Sequence, residues 1–512
     1  MERRQPGPLA VAALIGLPLA TLLLHLVFFR GYGYFRDELY YLACADHMAW
    51  GYVDHPPLCV ALLWLVRHAL GDSLFAIRLL PALAGATTVL LAGLIARRLG
   101  GSRFAQTLAM LSTLVAPELL AIGSVFSMNA LDVLIWTASA YLLVRALDEE
   151  RPSWWLALGV VLGLGLLNKI SVLWLGFGLA AGLLLARRDT LRRRGPWLAG
   201  TIAVVLFLPY LGWEMRLGWP TLEFMRNATS EKMAPVTPWA FALTQILNQH
   251  PLTFPVWLAG LGYFLWMRPN RAFRPLGIVY VAGFLILVVI GKSRAGYLAP
   301  AYPMLYAGGA VAIASFFEAR RLRLAPSAIV ALLLVGGAIT APLAMPILRV
   351  EKYLAYAGAL GQKASTEEKK EVAALPQFFA DMQGWERWVE GVASAYRALP
   401  LDDRAKAAIF ASNYGEAGAI DLLGRSLGLP RAISGHNNYW LWGPEGYSGE
   451  VMLMLVPAAA RPRLEEGFES VDQVGTLECG HCMPYENHRP VFLCRGSRLP
   501  LEALWPRLKH YD

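Results

Sequence analysis

A many-spanning, all-α membrane domain followed by a small exported α/β domain is the fold class this sequence predicts. Three observations carry that expectation. Of 512 residues, 56% are hydrophobic and only 16% charged, against roughly 25% charged in soluble domains. Apolar segments of spanning length recur through the first 350 residues or so. Beyond them the apolar runs shorten to strand length and the charge density rises.

The apolar segments lie near 8–30, 76–96, 104–122, 125–147, 153–168, 170–186, 197–217, 252–267, 275–291, 297–317 and 325–348. A spanning helix needs about 20 residues, with roughly 17 as the short limit. The stretch 153–186 reads either as two short helices or as one long one. About eleven spans follow. The first is expected to be a retained anchor, because its apolar run exceeds the roughly 7–15 residues of a signal core and no small-residue cleavage site precedes Arg30.

The formal charge of +9 is explained by topology. Arg97, Arg98 and Arg103 share one short loop, and Arg187, Arg188, Arg192, Arg193 and Arg194 another. Arg268, Arg271 and Arg274 form a third group, and Arg320, Arg321 and Arg323 a fourth. With Arg3, Arg4 and the N-terminus inside, eleven spans put all four groups on the cytoplasmic face, as basic loops require. Only the loop Arg145–Arg151 is off pattern, with Asp148, Glu149 and Glu150. No nucleic-acid partner is needed to account for the charge. The same topology exports loop 31–75, loop 218–251, the turn near 291–297, and the tail.

Residues 1–349 are thus expected to form the membrane domain and 350–512 the exported one. Within the tail, the helical pattern of 365–399 is broken at Pro376 and Gly384. "KAAIFASNYGEAGAIDLLGRSLGLPRAISGHNNYWLWG" reads as strand, loop, helix, strand, loop; "EVMLMLVP" is a strand; "RPRLEEGFESVDQVGTLEC" is a helix running into a strand. Alternating strands and short helices predict a small α/β fold.

The chemistry concentrates in the first exported loop, "GYGYFRDELYYLACADHMAWGYVDHPPL". Asp37 and Glu38 open a helical segment too polar to span, which suits an amphipathic helix at the membrane surface. Asp54 and His55 follow, before two prolines that force an extended turn. A carboxylate at that boundary is placed to act as a base; as the bland alternative, Asp37 would only cap the helix.

An Asp-Glu pair directly after the first span, a "PPL" turn fifteen to twenty residues on and a later "GKSRAGYLAPAYPML" resemble the GT-C membrane glycosyltransferases. Closest in pattern are the protein O-mannosyltransferases and the lipid A aminoarabinose transferases. The resemblance implies transfer, with inversion, of a sugar from a polyprenyl-phosphate donor such as undecaprenyl phosphate to an acceptor outside a bacterial inner membrane. Lipid A, another envelope glycan or a protein would be that acceptor. It makes Asp37 the catalytic base. Because the leaving group is a lipid phosphate, a second carboxylate acting as acid is unnecessary, but cations are required.

His55 stands where the aminoarabinose transferases carry a phosphate-binding lysine. Lys292, Arg294 and Lys169, each at the exported end of a span, are further phosphate ligands, with Tyr297 as a donor of hydrogen bonds. Glu38, Asn129, Asp132 and Tyr302 are candidates for contacts to sugar or acceptor. Arg36 reads as a headgroup anchor. Glu38, Asp54 and His55 offer donors that would suit a divalent metal, while Glu38 reads equally as a supporting or a solvated charge.

Cys44, Cys59, Cys479, Cys482 and Cys494 all fall in exported regions, which suits disulfides in an oxidising compartment. Cys494 is expected to pair with Cys479 or Cys482; a redox or zinc role for "CGHC" is the lesser alternative. The rival of another class is a flippase that moves lipid-linked sugars without chemistry. Such carriers show paired repeats with broken helices at mid-membrane; no such pairing is visible here.

Overall fold

The computed structural model describes residues 6–149 and 151–512, so Arg3, Arg4 and Glu150 lie outside the described residues. Each of the eleven predicted apolar segments is helical. In order they are α1 (Val11–Val27), the long helix Leu74–Arg98, a bent pair (Arg103–Leu114 and Pro117–Ser124), Met128–Glu149, Pro152–Leu166, Val172–Ala186, Arg194–Arg216, Phe254–Leu265, Arg274–Ile290, Tyr302–Ala319 and Ala325–Ala344. Six helices of the described residues are long and apolar enough to cross a membrane, seven if the bent pair counts as one. The stretch 153–186 resolves into two helices.

The bend in the third segment is 61°. Pro117 is its cause: it sits at the first turn of the second helix, where its ring is tolerated but where it cannot continue the preceding ladder. Between the first and second apolar segments lie two helices without counterparts in the eleven, α2 (Arg36–Asp46) and α3 (Leu58–Leu70). We call Leu74–Arg98 α4.

The tail carries a five-stranded mixed sheet in the order β2-β1-β3-β5-β4, with β1 Ala407–Ala411, β2 Ala432–Ile433, β3 Val451–Leu455, β4 Phe468–Leu477 and β5 Arg489–Ser497. β1, β2 and β3 run parallel, and β5 is antiparallel to both β3 and β4. Four of these strands match the sequence reading. β5 was not anticipated, since the prolines of "MPYENHRP" mark a loop and the apolar run after them is short.

The side chains of the central strands alternate between two apolar clusters. Ile409, Leu453 and Leu493 join the large core that also takes in the membrane helices; Phe410, Met452, Phe492 and Cys494 face a second core with Leu464 and Trp505. A strand of period two covered on both faces requires this. The large core is continuous because the helix Tyr414–Leu423 packs on α2. Two glycines permit the approach: a Cβ on Gly415 would lie 2.2 Å from Arg36 Cγ, and one on Gly418 2.7 Å from the Leu39 carbonyl oxygen.

That alternation also corrects the disulfide expectation. Cys494 points into the second core, away from the loop that holds the other pair, and is free. Cys479 and Cys482 are bonded to each other; Gly480, with φ at +74°, takes the left-handed turn a glycine adopts readily. Cys44 and Cys59 are buried and unbonded. Cys44 Sγ instead faces Asn438 Nδ2 at 3.7 Å, and Cys59 Sγ faces His55 Nδ1 at 4.0 Å.

Candidate active site

Successive residues on a helix point about 100° apart, so Asp37 and Glu38 cannot share surroundings. Glu38 turns inward and is fully buried. Its two oxygens take Arg78 Nε and Nη2 at 2.9 and 2.7 Å, the Phe126 N–H at 2.8 Å, and the Phe35 N–H at 2.8 Å. The last of these caps α2. Arg78, on α4, also donates to the carbonyls of Phe29 and Gly33. Glu38 therefore has no oxygen left for a metal or a sugar. It fixes the first loop to the bundle.

Asp37 turns the other way and keeps 31% of its side chain exposed. Its Oδ1 accepts the Tyr414 hydroxyl at 3.0 Å and lies 3.6 Å from Arg36 Nε. Its Oδ2 has no hydrogen bond among the described residues. Since Glu38 supplies the cap, the capping role proposed for Asp37 as the bland alternative is already filled.

Arg36 is not a headgroup anchor. It is buried, donates Nη1 to the Tyr485 hydroxyl at 2.7 Å, stands 3.6 Å from Asp381 and lies over the Tyr414 ring. All three partners belong to the tail, so Arg36 pins the two parts of the chain together. Tyr414, Arg78 and Asp381 were invisible to sequence reasoning. The only available signals were an arginine inside an apolar run and an Asn-Tyr at the start of a helix.

Asp54 and His55 enter an aromatic box. Asp54 accepts the Tyr40 hydroxyl at 2.9 Å, and His55, fully buried, lies among the rings of Tyr40, Tyr41 and Tyr52. His55 Nδ1 is 3.1 Å from the Pro56 carbonyl, and its Nε2 is 3.9 Å from Asp54. With Glu38 spent elsewhere, the expected metal set of Glu38, Asp54 and His55 does not converge. Burial raises the Asp54 carboxyl above its ordinary range.

Four predicted residues do come together. Lys169 Nζ donates to Asn129 Oδ1 at 2.7 Å, stands 3.4 Å from Asp132 and lies 5.2 Å above the Tyr297 ring. Ser171 donates to Asp132 Oδ2 at 3.0 Å, while Asp132 Oδ1 is buried without a hydrogen bond among the described residues. The break between Pro152–Leu166 and Val172–Ala186 makes this possible, because it lets Lys169 turn back toward the start of Met128–Glu149.

Arg294 meets the tail, with Nη2 at 2.5 Å from Glu368 and Nε at 4.0 Å from Glu367. Asp37 lies close enough for its charge to act on Arg294. Lys292 is half-buried and makes no ion pair among the described residues. Glu118, which the 61° bend carries into place, accepts from Asn248 at 3.0 Å and feels the charges of Arg294 and Lys169. Tyr302 is the exception among the candidates. Fully buried, it donates to Gln245 at 3.0 Å and meets the Tyr280 hydroxyl at 3.2 Å, so its hydroxyl is committed inside the bundle rather than offered to a sugar.

One group of ligand-type side chains gathers elsewhere among the described residues: His436, His510 and Asp512. His436 Nδ1 accepts the Tyr414 N–H at 3.4 Å and Nε2 meets the Asp512 carbonyl at 3.0 Å. With Nδ1 accepting, Nε2 carries the proton, and the group is a hydrogen-bonded support behind Tyr414.

Residues 54–213 match the family described as dolichyl-phosphate-mannose-protein mannosyltransferase. The chain is 26% identical over 230 residues to the undecaprenyl phosphate-alpha-4-amino-4-deoxy-L-arabinose arabinosyl transferase of Pseudomonas savastanoi pv. phaseolicola, covering 43% of this chain and 35% of that one. It is 27% identical over 188 residues to the lipid A galacturonosyltransferase RgtD of Rhizobium johnstonii, covering 36% of this chain and 39% of that one. These matches thus span little more than a third of each relative. Among solved structures, ArnT from Cupriavidus metallidurans in the apo state aligns over 94% of this chain and 97% of its own, with a TM-score of 0.62 at 15% identity. The same protein bound to undecaprenyl phosphate gives 0.61 at 13% identity over the same shares.

The bundle and the short sheet of the tail share the fold of those ArnT structures. The sequence similarity to the protein-mannosyltransferase family covers residues 54–213 and begins after the Asp37–Glu38 pair.

Proposed function

We propose that this chain is an inverting glycosyltransferase of the bacterial inner membrane, moving a sugar from a polyprenyl-phosphate carrier to lipid A, or to another envelope glycan or a protein, on the extracytoplasmic side. The observation that carries the reading is Asp37: one oxygen is held by Tyr414 and the other is open, on a half-exposed side chain within the field of Arg294. In a single displacement, Asp37 takes the acceptor hydroxyl proton as the new anomeric C–O bond forms. The bond from the anomeric carbon to the phosphate oxygen breaks, and the lipid phosphate leaves with the electron pair. Arg294, Lys292 and Lys169 are the cations that would receive that charge.

The relatives support the donor and acceptor classes, since one is named for an undecaprenyl-phosphate sugar and the other for lipid A. We assign residues 350–512 to the outer side of the membrane, where they supply Tyr414 and Tyr485 to the rim of the site. Asn129, partly buried and bound to Lys169, is the candidate for reading the sugar, while fully buried Asp132 steadies Lys169 from behind.

Donor turnover tests the proposal. The protein in nanodiscs is given radiolabelled polyprenyl-phosphate sugars and a membrane extract, beside an Asp37→Asn variant. Wild type should transfer label and the variant should lose at least about a hundredfold while still binding donor. A variant as active as wild type removes Asp37 from the chemistry. Label that crosses the bilayer without being transferred makes the chain a flippase.

A further inference from the structure

The segment 365–370 plays no part in the reaction described so far, yet it is held firmly. Met233 and Glu368 form an antiparallel bridge. Beside it, the Ala234 N–H donates to the Glu367 carbonyl at 3.1 Å and the Lys369 N–H to the Lys232 carbonyl at 2.8 Å. Lys369 Nζ reaches the Ser230 carbonyl at 2.8 Å, and the Glu367 carboxylate takes the Ala295 N–H at 3.1 Å. The segment is a strap laid across the loop that precedes helix Pro238–Asn248 and across the turn that carries Arg294.

The strap buries one carboxylate among cations. Glu368 is 3% exposed. It lies 2.5 Å from Arg294 Nη2 and 3.2 Å from Lys370 Nζ. Arg36, Lys232, Arg294 and Lys370 together hold it well below the usual carboxylate range, although burial alone would raise it. Burying an ion costs several kcal/mol unless it is paired, and here the pairing comes from a cation the reaction needs for its phosphate. The fit is loose: Glu368 Oε2 meets Lys370 Nζ at 3.2 Å outside hydrogen-bond geometry, and buried Arg294 Nε lies 4.0 Å from Glu367 with no hydrogen bond among the described residues. A guanidinium fork suits two oxygens at once, and the carboxylate engages only one arm of it.

We propose that Glu368 is an internal occupant of the donor-phosphate site, held there by the strap and displaced when a lipid-linked phosphate arrives. This rests on the donor reading above. The exchange conserves charge, because a polyprenyl phosphosugar is a phosphodiester with one negative charge, as Glu368 is. The polyprenyl phosphate left after transfer is a monoester carrying close to two, so Glu368 also competes for the cations when product must leave. Until then the strap keeps Arg294 from being an unpaired charge at the rim of the bilayer.

Binding of undecaprenyl phosphate to the full chain in nanodiscs, read by tryptophan fluorescence, tests this without requiring turnover. Apparent affinity falls by the fraction of protein whose site is open, so Glu368→Gln should tighten binding about tenfold. Glu368→Asp, which keeps the charge, should stay near wild type. A purely structural Glu368 predicts the reverse, with Glu368→Gln binding no better or worse, and that result overturns the proposal. A second variant leaves Glu368 untouched: Ala234→Cys with Glu367→Cys, opposite one another beside the bridge, locks the strap when oxidised. Locked protein should bind poorly and recover on reduction, with wild type treated alike as control. Locked protein that binds as well as wild type also overturns the proposal. If neither wild type nor any variant binds the lipid phosphate, the donor reading fails first and the strap's role with it.

Discussion

Asp37 and Glu38 are adjacent acids on one helical turn, and the regions they face could hardly differ more. The inner region, around Glu38 and Arg78, is closed: a two-pronged ion pair and two backbone amides occupy both Glu38 oxygens, and two carbonyls hold Arg78 in place. The outer region, around Asp37, is assembled from two parts of the chain and remains incomplete, with one oxygen held by Tyr414 and one open. A buried charge has to be fully partnered, whereas a base must keep a lone pair for its substrate. The comparison teaches that the Asp-Glu pair is two devices in one: Glu38 fixes the loop to the bundle, and Asp37 keeps the open oxygen that its proposed role needs.

The largest effect should come from breaking the inner region. Removing one partner of a buried ion pair costs roughly 3–5 kcal/mol, so Arg78→Ala should lower the thermal midpoint sharply, while Asp37→Asn should leave it nearly unchanged. Equal midpoints for the two variants would erase the distinction drawn here.

A second test concerns the carboxylates behind Arg36. Asp381 and Glu486 are buried, and both Glu486 oxygens and Asp381 Oδ1 lack hydrogen-bond partners among the described residues. Burial pushes both acids up; Asp381 raises Glu486 further, Asp37 and Glu368 raise Asp381, and Arg36 opposes both rises. An acid whose folded value is raised binds more protons folded than unfolded, so its favourable contribution is present at low pH. That contribution is lost as pH climbs from the usual carboxylate range near about 4 toward the raised values. Thermal scans from pH 5 to 8 should show falling stability, and Glu486→Gln should flatten the slope. An unchanged slope would mean the pair does not titrate in that window.

The smallest effect probes the outer region itself. Tyr414→Phe removes a single hydrogen bond to Asp37, worth about 0.5–1.5 kcal/mol. Transfer should fall about three- to tenfold with donor binding unchanged. A loss as large as that of Asp37→Asn would make Tyr414 a participant in the chemistry rather than a support.

How much of this was legible beforehand follows from the range of the forces involved. Hydropathy is local, so all eleven apolar segments could be read, and the loop carrying Asp37 was legible from its charge pattern and motif order. Lys169, Asn129 and Asp132 were named separately, and the fold brought them together. Tyr302 was misplaced because a tyrosine beside a proline-rich turn looks the same whether its hydroxyl meets a sugar or Gln245. Cys494 was mispaired because nothing local in the sequence says which face of an unrecognised strand it occupies.

What the sequence by itself determined is the membrane bundle, the α/β character of the tail and the likeness to lipid-linked sugar transferases. Each is written in short-range patterns of apolar, charged and turn residues. Only the tertiary structure decided which acid is free, which arginine binds two parts of the chain, and that Glu368 rests on Arg294. Those outcomes depend on side chains from 40 to more than 400 positions apart meeting within 4 Å, a distance that no local pattern encodes.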